Sequence, residues 1–322
     1  MKSSNIGGQA VLEGIMMRHQ DVYSVAVRRP DGEIEVKTEP YRSLVKSKVL
    51  KNTPVVRGVF NFIESLVVGM KCLTYSASFF EDEEEEEKET PVLTEEEQKR
   101  EDIKREKQDK LLMGITVAVS VVLSVAIFIM LPYFIASILR NVTDSESLIA
   151  IAEACVRLVI FLGYIFLISK MKDIQRVFMY HGAEHKCINC VEHGMDLTVE
   201  NVMKSSREHK RCGTSFLLFV MIVSIIFFLF IRVSSPWLRV VVRLLLVPVI
   251  AGVSYEIIRL AGSSDNKFVN LLSRPGMALQ RLTTREPDES MVEVAIAAVE
   301  AVFDWKEYLR ENFGNSRREK AS

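Results

Sequence analysis

The chain has 322 residues and a formal net charge of −1, with 48% hydrophobic and 26% charged residues. Mean hydropathy is positive, +0.15, which fits a membrane protein with large aqueous parts better than one or two soluble domains. No Lys/Arg cluster interleaved with aromatics lies in an aqueous segment, which excludes a nucleic-acid surface, and five cysteines without framework spacing exclude a disulfide scaffold.

Residues 1–54 read as a small folded aqueous piece with β content. Met1-Lys2-Ser3-Ser4-Asn5 leads into no apolar signal core, so insertion is expected at a later helix. Three glycines within 7–14 predict tight turns or a close approach of backbone to a neighbour, a packing role rather than a phosphate cradle. Val22 to Arg29 and Ile34 to Lys37 have strand character and are joined by the turn signal Pro30-Asp31-Gly32. In residues 55–80 the polar residues Arg57, Asn61, Glu64 and Lys71 form one stripe, which predicts an amphipathic or membrane-associated helix rather than a fifth span. Residues 81–110 are an acidic, charged linker that cannot bury a core and is expected to be disordered or a solvated helix.

Residues 111–262 form the expected membrane domain. Its four transmembrane helices are Leu111 to Leu131, Leu148 to Ser169, Ser215 to Ile231 and Trp237 to Gly262, set against a bilayer core of about 30 Å. The loop 170–214 carries eight Lys/Arg and the loop 132–147 only Arg140, so the former, with both termini, is expected in the cytosol. Glu153, Arg157, Arg239 and Arg243 start two spans at one depth. A Glu153–Arg157 pair extended by one further arginine is expected, with Arg239 the better candidate to snorkel, and Glu256 is expected to pair with Arg259. In residues 263–322, Arg274-Pro275-Gly276 and residues 283–288 read as turns, with Pro287 near the first turn of a helix. Asp288 to Arg310 reads as one amphipathic helix packed on the aqueous part.

The chemistry concentrates in Tyr180-His181-Gly182-Ala183-Glu184-His185-Lys186. Residues four apart share a helix face, so His181 and His185 can hold one metal ion, and the string H-x-x-E-H places Glu184 to act as general base on a bound water. His209 and Cys212, three apart and both good zinc donors, are the candidates to complete the set. Glu256 is an alternative third ligand. Cys187-Ile188-Asn189-Cys190 is a lone C-x-x-C, a weak sign of zinc or redox chemistry without a second pair.

Gly-Gly-Gln-Ala-Val-Leu-Glu-Gly-Ile-Met-Met-Arg (7–18), the core 181–186, His209 with Arg211-Cys212-Gly213-Thr214-Ser215-Phe216, and the run Pro-Gly to Arg-Glu-Pro (275–287) together resemble the YqhQ-like family of bacterial multi-pass membrane proteins. The resemblance extends from residue 5 to about 303. It implies a metal-dependent enzyme at His181, Glu184 and His185. Where this chain has Cys187 the family commonly has Thr, which implies that the C-x-x-C is incidental and that Cys187 is a poor ligand candidate.

The resulting expectation is a mainly α polytopic membrane protein, four transmembrane helices with a cytosolic α+β part, surrounded by membrane lipid. Its function is expected to be that of a membrane-bound hydrolase using a divalent metal, zinc by its donors, with His181, His185, His209 and Cys212 as ligands and Glu184 catalytic. The alternative is a non-catalytic scaffold or a metal-sensing, transport-associated protein. An open metal position facing a pocket separates the two.

Overall fold

The computed structural model describes residues 3–85, 95–231, 233, 235–263 and 266–321. Two compact units divide the chain, one formed by residues 1–81, 165–224 and 246–322, the other by 82–164 and 225–245.

The first unit is built on an antiparallel sheet in the order β1 (Gly7–Val11), β2 (Gly14–His19), β3 (Val22–Arg28), β4 (Ile34–Pro40). The last two strands match expectation, with β4 longer by three residues. Neither β1 nor β2 was expected, because their turns lack the usual glycine. Glu13 and Gln20 take positive φ, 48° and 52°, where turn chemistry favours Gly or Asn, whereas Gly32 (φ 88°) marks the last turn openly. Side chains alternate across the sheet. Ile15, Met17 and Ala26 enter one core, while Val11, Met16, Val25 and Val27 enter another.

A short helix α1 (Lys48–Asn52) leads into α2 (Val56–Glu85). Cys72, Val68, Tyr75 and Phe79 of α2 cover the second face of the sheet. The polar stripe of α2 also turns toward protein. Arg57 pairs with Glu256, the Asn61 amide donates to the Tyr255 hydroxyl (2.8 Å), Glu64 accepts from Ser43 Oγ (2.7 Å) and Leu44 N–H (2.8 Å), and Lys71 pairs with Glu39. Its opposite face, Ile63, Leu66, Val67, Met70 and Leu73, is apolar and exposed.

The other face of the sheet is covered by α6 (Lys172–Glu192), α7 (Val199–Lys204) and α11 (Glu289–Glu300), through Tyr180, Ala183, Val191, Val202, Met291 and Val299 among others. The region 170–214 is therefore mainly helical, α6 and α7, with loop at 193–198 and 205–212. The expected single helix from Asp288 to Arg310 is two, α11 and α12 (Trp305–Ala321). Asp288 caps the first through Met291 N–H and Asp304 caps the second through Glu307 N–H, both at 2.9 Å. Pro287 directly precedes the first of these caps, next to the first turn as expected. The expected turn at Arg274-Pro275-Gly276 lies inside α10 (Lys267–Thr283). Tertiary anchoring of Gln280, whose amide donates to the His209 carbonyl (2.7 Å) and to Ser215 Oγ (2.8 Å), holds that helix through its proline.

Among the described residues, four stretches are long and apolar enough to cross a membrane: Leu111–Asn141, Glu146–Ile168, Gly213–Phe230 and Leu238–Ala261. The first begins within α3 (Glu95–Val125), passes a π turn at Ala126–Met130 and ends through α4 (Leu131–Ser137) and a 3-10 turn. The others are α5 (Glu146–Ile168), α8 (Gly213–Phe230) and most of α9 (Pro236–Ser263). Of the charged linker, residues 81–85 end α2 and 95–110 begin α3, while 86–94 lie outside the described residues. In the second unit Glu153 accepts from Arg157 at 2.6 Å and from Arg243 at 2.7 Å, the expected three-charge cluster, and both guanidiniums stack on Phe228. Arg239 donates to the Val233 carbonyl (2.7 and 3.0 Å). Glu256 pairs with Arg57 instead of forming the expected ion pair with Arg259.

Candidate metal centre

Helix α6 puts His181, Glu184 and His185 on one face, and the chain after α7 returns Cys212 to them just ahead of α8. Both imidazoles have one nitrogen tied to backbone. His181 Nδ1 lies 2.9 Å from the Thr283 carbonyl and His185 Nδ1 lies 2.7 Å from the Arg207 carbonyl. A carbonyl only accepts, so Nδ1 carries the proton in each ring and Nε2 keeps its lone pair in the neutral form. The Nε2 of His181 faces Cys212 Sγ at 3.3 Å, and the ring centroids of the two histidines are 4.4 Å apart. One donor atom from each of His181, His185 and Cys212 falls within 4.8 Å of the others. Fixing the distal nitrogen of each imidazole in this way is what orients metal-ligating histidines.

The electrostatics agree with a thiolate. Burial pushes the Cys212 thiol up, but His181 and His185 override it and hold it well below its ordinary value. For His181, burial works downward, yet Cys212, Glu184 and the Thr283 carbonyl lift it to about 9. The Thr214 N–H at the start of α8 also points to Cys212 Sγ, at 3.4 Å. Glu184 is buried, and its Oε2 has no hydrogen-bond partner. Burial raises its pKa, against the pull of both histidines. A buried orphan acceptor beside three donors fits a site that takes a cation or an activated water.

Two glycines let the backbone close on this cluster. A Cβ on Gly8 would lie 2.9 Å from the Glu184 carboxyl carbon and 2.8 Å from Met17 Sδ, the close approach that the glycine-rich N-terminus predicts. One on Gly182 would lie 2.0 Å from the Arg285 carbonyl, so its absence lets the segment carrying the Thr283 carbonyl reach His181. Gly8→Val is expected to cost about 1–3 kcal/mol by overpacking, read as a lowered unfolding temperature in detergent. An unchanged temperature would show that β1 yields and that Glu184 is not clamped.

His209 stands outside the three-donor group. Its Nε2 faces Glu192 Oε2 at 3.4 Å, and its ring centroid is 5.8 Å from that of His185. Burial holds its pKa down. Glu192 also accepts from Ser4 N–H (2.7 Å), Ser4 Oγ (2.8 Å) and Arg211, and these contacts with His209 overcome burial to bring its pKa to about 2. Glu256, held by Arg57 and the Val55 N–H (3.2 Å), is not in the group either. Cys187 is fully buried in the apolar core and burial drives its thiol well above the ordinary value; Cys187 and Cys190 form no disulfide, and the Cys190 thiol donates to the Asp196 carbonyl at 3.3 Å.

Sequence reasoning missed the residues that brace this arrangement. The ammonium of Lys186 donates to the carbonyls of Met203 (2.7 Å) and Ser205 (2.9 Å), and the Asn189 amide donates to those of Ser206 (2.7 Å) and Glu208 (3.0 Å). They follow His185 by one and four positions, so the same helix that carries the histidines also ties down the chain leading to Cys212. A cavity of about 700 Å3 adjoins the cluster, with His181, Glu184 and Cys212 in its wall.

Residues 53–305 match a family described as "Protein of unknown function (DUF1385)". The chain is 38% identical over 299 residues to "Uncharacterized protein YqhQ" of Bacillus subtilis (strain 168), covering 90% of this chain and 89% of that protein. No solved structure matches the chain. With matches of this length, the chain belongs to the YqhQ-like family of proteins of unknown function.

Proposed function

We propose that the protein is a membrane-bound, metal-dependent hydrolase, with His181, His185 and Cys212 as ligands and Glu184 as general base. The observation that carries this reading is a set of three converging donors with a large cavity beside it, in place of a fourth protein ligand. A structural zinc site is closed by four protein ligands, whereas a catalytic site keeps one position open. The engagement of His209 by Glu192 leaves that position free. A divalent ion held here would supply a bound water of lowered pKa. Thr283 and Arg207 orient the two rings, Cys212 contributes negative charge, and the buried carboxylate of Glu184 accepts the proton of the attacking water. The donor set of two imidazoles and one thiolate favours zinc.

The separation of 3.3 Å between Cys212 Sγ and His181 Nε2 supports a second reading, in which Cys212 is itself the nucleophile and His181 its partner. Metal analysis of the purified wild-type protein against His181→Ala separates the two. Loss of a stoichiometric metal in the variant supports the first reading. A metal-free wild-type protein inactivated by alkylation of Cys212 supports the second. A scaffold or sensor role would be supported by metal that binds with Cys212, His181 and His185 yet leaves Glu184→Gln without any cellular effect.

The site is proposed to face the cytosol, on the Lys/Arg asymmetry of the loops. With the exposed Cys155 and the cavity-lining Cys212 replaced by serine, the remaining native cysteines Cys72, Cys187 and Cys190 are buried, and a reporter cysteine at the exposed Glu200 gives a clean signal. In intact cells, Glu200→Cys is expected to resist a membrane-impermeant maleimide and to react after permeabilisation. Reaction in intact cells would invert the topology.

A further inference from the structure

We infer that the substrate is a membrane amphiphile whose apolar chain occupies the 700 Å3 cavity with its polar end at His181, Glu184 and Cys212. The chemistry of this assignment rests on the hydrolase reading above; the binding does not. The cavity far exceeds the space a hydrolytic water needs, about 30 Å3 as a share of liquid volume, and it falls in the range of ligand sites. Its walls include Phe62, Leu66, Phe178, Ile188, Phe216 and Leu217. Asn61 also lines it but donates its amide to Tyr255. Gln9 and Ser65 are further polar residues of the wall, and Arg211, also in it, is engaged by Glu192 and Ser3, so the groups left to meet a headgroup are those of the cluster itself, above all the orphan oxygen of Glu184.

Position argues for a lipid rather than a soluble apolar compound. Phe216 and Leu217 lie in the apolar stretch Gly213–Phe230, and Tyr255 and Ile258, also in the wall, lie in Leu238–Ala261. Another part of the wall is α2, a helix with inverted amphipathicity. Its polar stripe Arg57, Asn61, Glu64 and Lys71 is spent on protein partners, while Ile63, Leu66, Val67, Met70 and Leu73 are left uncovered. A helix surrounded by water would not hold that orientation, whereas one lying against hydrocarbon would. Leu66 belongs to both the uncovered stripe and the cavity wall. Leu66 thus joins the uncovered face of α2 to the cavity, the point at which an acyl chain lying against α2 would enter.

The test uses the full chain in vesicles of phosphatidylcholine and phosphatidylglycerol containing a phospholipid with a diazirine at the chain terminus, with adducts mapped after irradiation by peptide mass spectrometry. Adducts are expected on Phe62, Phe178 and Phe216, and they should be lost in Ser65→Trp, where an indole fills the cavity from α2. Gly7→Leu, at a position where an added Cβ meets nothing within 4 Å, offers a second block that should not disturb folding. The adducts should persist in His181→Ala even though its metal is lost, so failure of the metal site and failure of lipid binding give different results. Adducts confined to the uncovered stripe of α2 and unchanged by either block would overturn the inference. So would displacement of the cavity adducts by a water-soluble short-chain ester but not by unlabelled phospholipid, which would identify a soluble substrate.

Discussion

The proposed zinc is expected to be lost from purified His181→Ala and His185→Ala proteins and kept at the wild-type ratio in Glu184→Gln. Apparent zinc binding in small sites is worth about 10–16 kcal/mol, shared over a few ligands, so removing one imidazole forfeits about 3 kcal/mol, roughly two orders of magnitude in Kd. Both rings are held by backbone carbonyls through Nδ1, and the neighbouring His209 is engaged by Glu192. Glu184 lies one residue off the line of the two histidines and leaves one oxygen without a partner. Its amide isostere preserves the packing against Gly8 but cannot take a proton, and loss of a general base slows turnover by about 10²–10⁴-fold. Inductively coupled plasma mass spectrometry on the three variants reads the metal directly. Equal metal in all of them would remove the site from the protein's chemistry, and loss of metal in Glu184→Gln would make that residue a ligand.

The second large effect is expected at Glu153. Its carboxylate balances two guanidiniums, and the side chains of Glu153, Arg157 and Arg243 are 7%, 3% and 8% exposed, so each depends mainly on the others for charge balance. Glu153→Leu leaves two like charges buried together and is expected to destabilise by about 3–5 kcal/mol. Arg243→Leu leaves the Glu153–Arg157 pair neutral and should cost distinctly less, although it removes a larger side chain. Thermal unfolding of both variants in the same detergent decides the matter. Equal losses would mean that packing against Phe228, not charge balance, sets the stability of the cluster.

These residues mark what the sequence could and could not reveal. The spans, the Pro30-Asp31-Gly32 turn and the pairing of Glu153 with arginine follow from local pattern, because hydropathy, turn geometry and the cost of an unpaired charge all act at short range. The histidine pair was legible for the same reason, being one turn of helix. The strands β1 and β2 were not, since Glu13 and Gln20 adopt backbone angles that their side chains do not advertise. Asp304 followed by Glu307 was a readable capping signal for α12, obscured by the run of apolar residues ahead of it. Which of His209 and Cys212 lies nearer the histidine pair was closed to sequence. Both recur at the right spacing, and only the fold places Cys212 beside the pair and His209 against Glu192. The carbonyls of Arg207 and Thr283 carry no residue-specific signal at all.

The parts of this site are spread along the chain in a way that bears on its biogenesis. Gly8 is made first, the histidines follow some 170 residues later, and the Thr283 carbonyl comes only after the last apolar stretch. The sheet face holding Ile15, Met17 and Ala26 is closed by Met291 and Val299, and Ser24 Oγ donates to the Ala298 carbonyl at 2.6 Å. At about 5–20 residues per second, a nascent chain carries that open hydrophobic face for tens of seconds while its membrane segments are being inserted. During that interval the N-terminal strands need shelter from a chaperone or from the bilayer surface, and a chain truncated before residue 291 would be a substrate for quality-control proteases even with all four apolar helices in place.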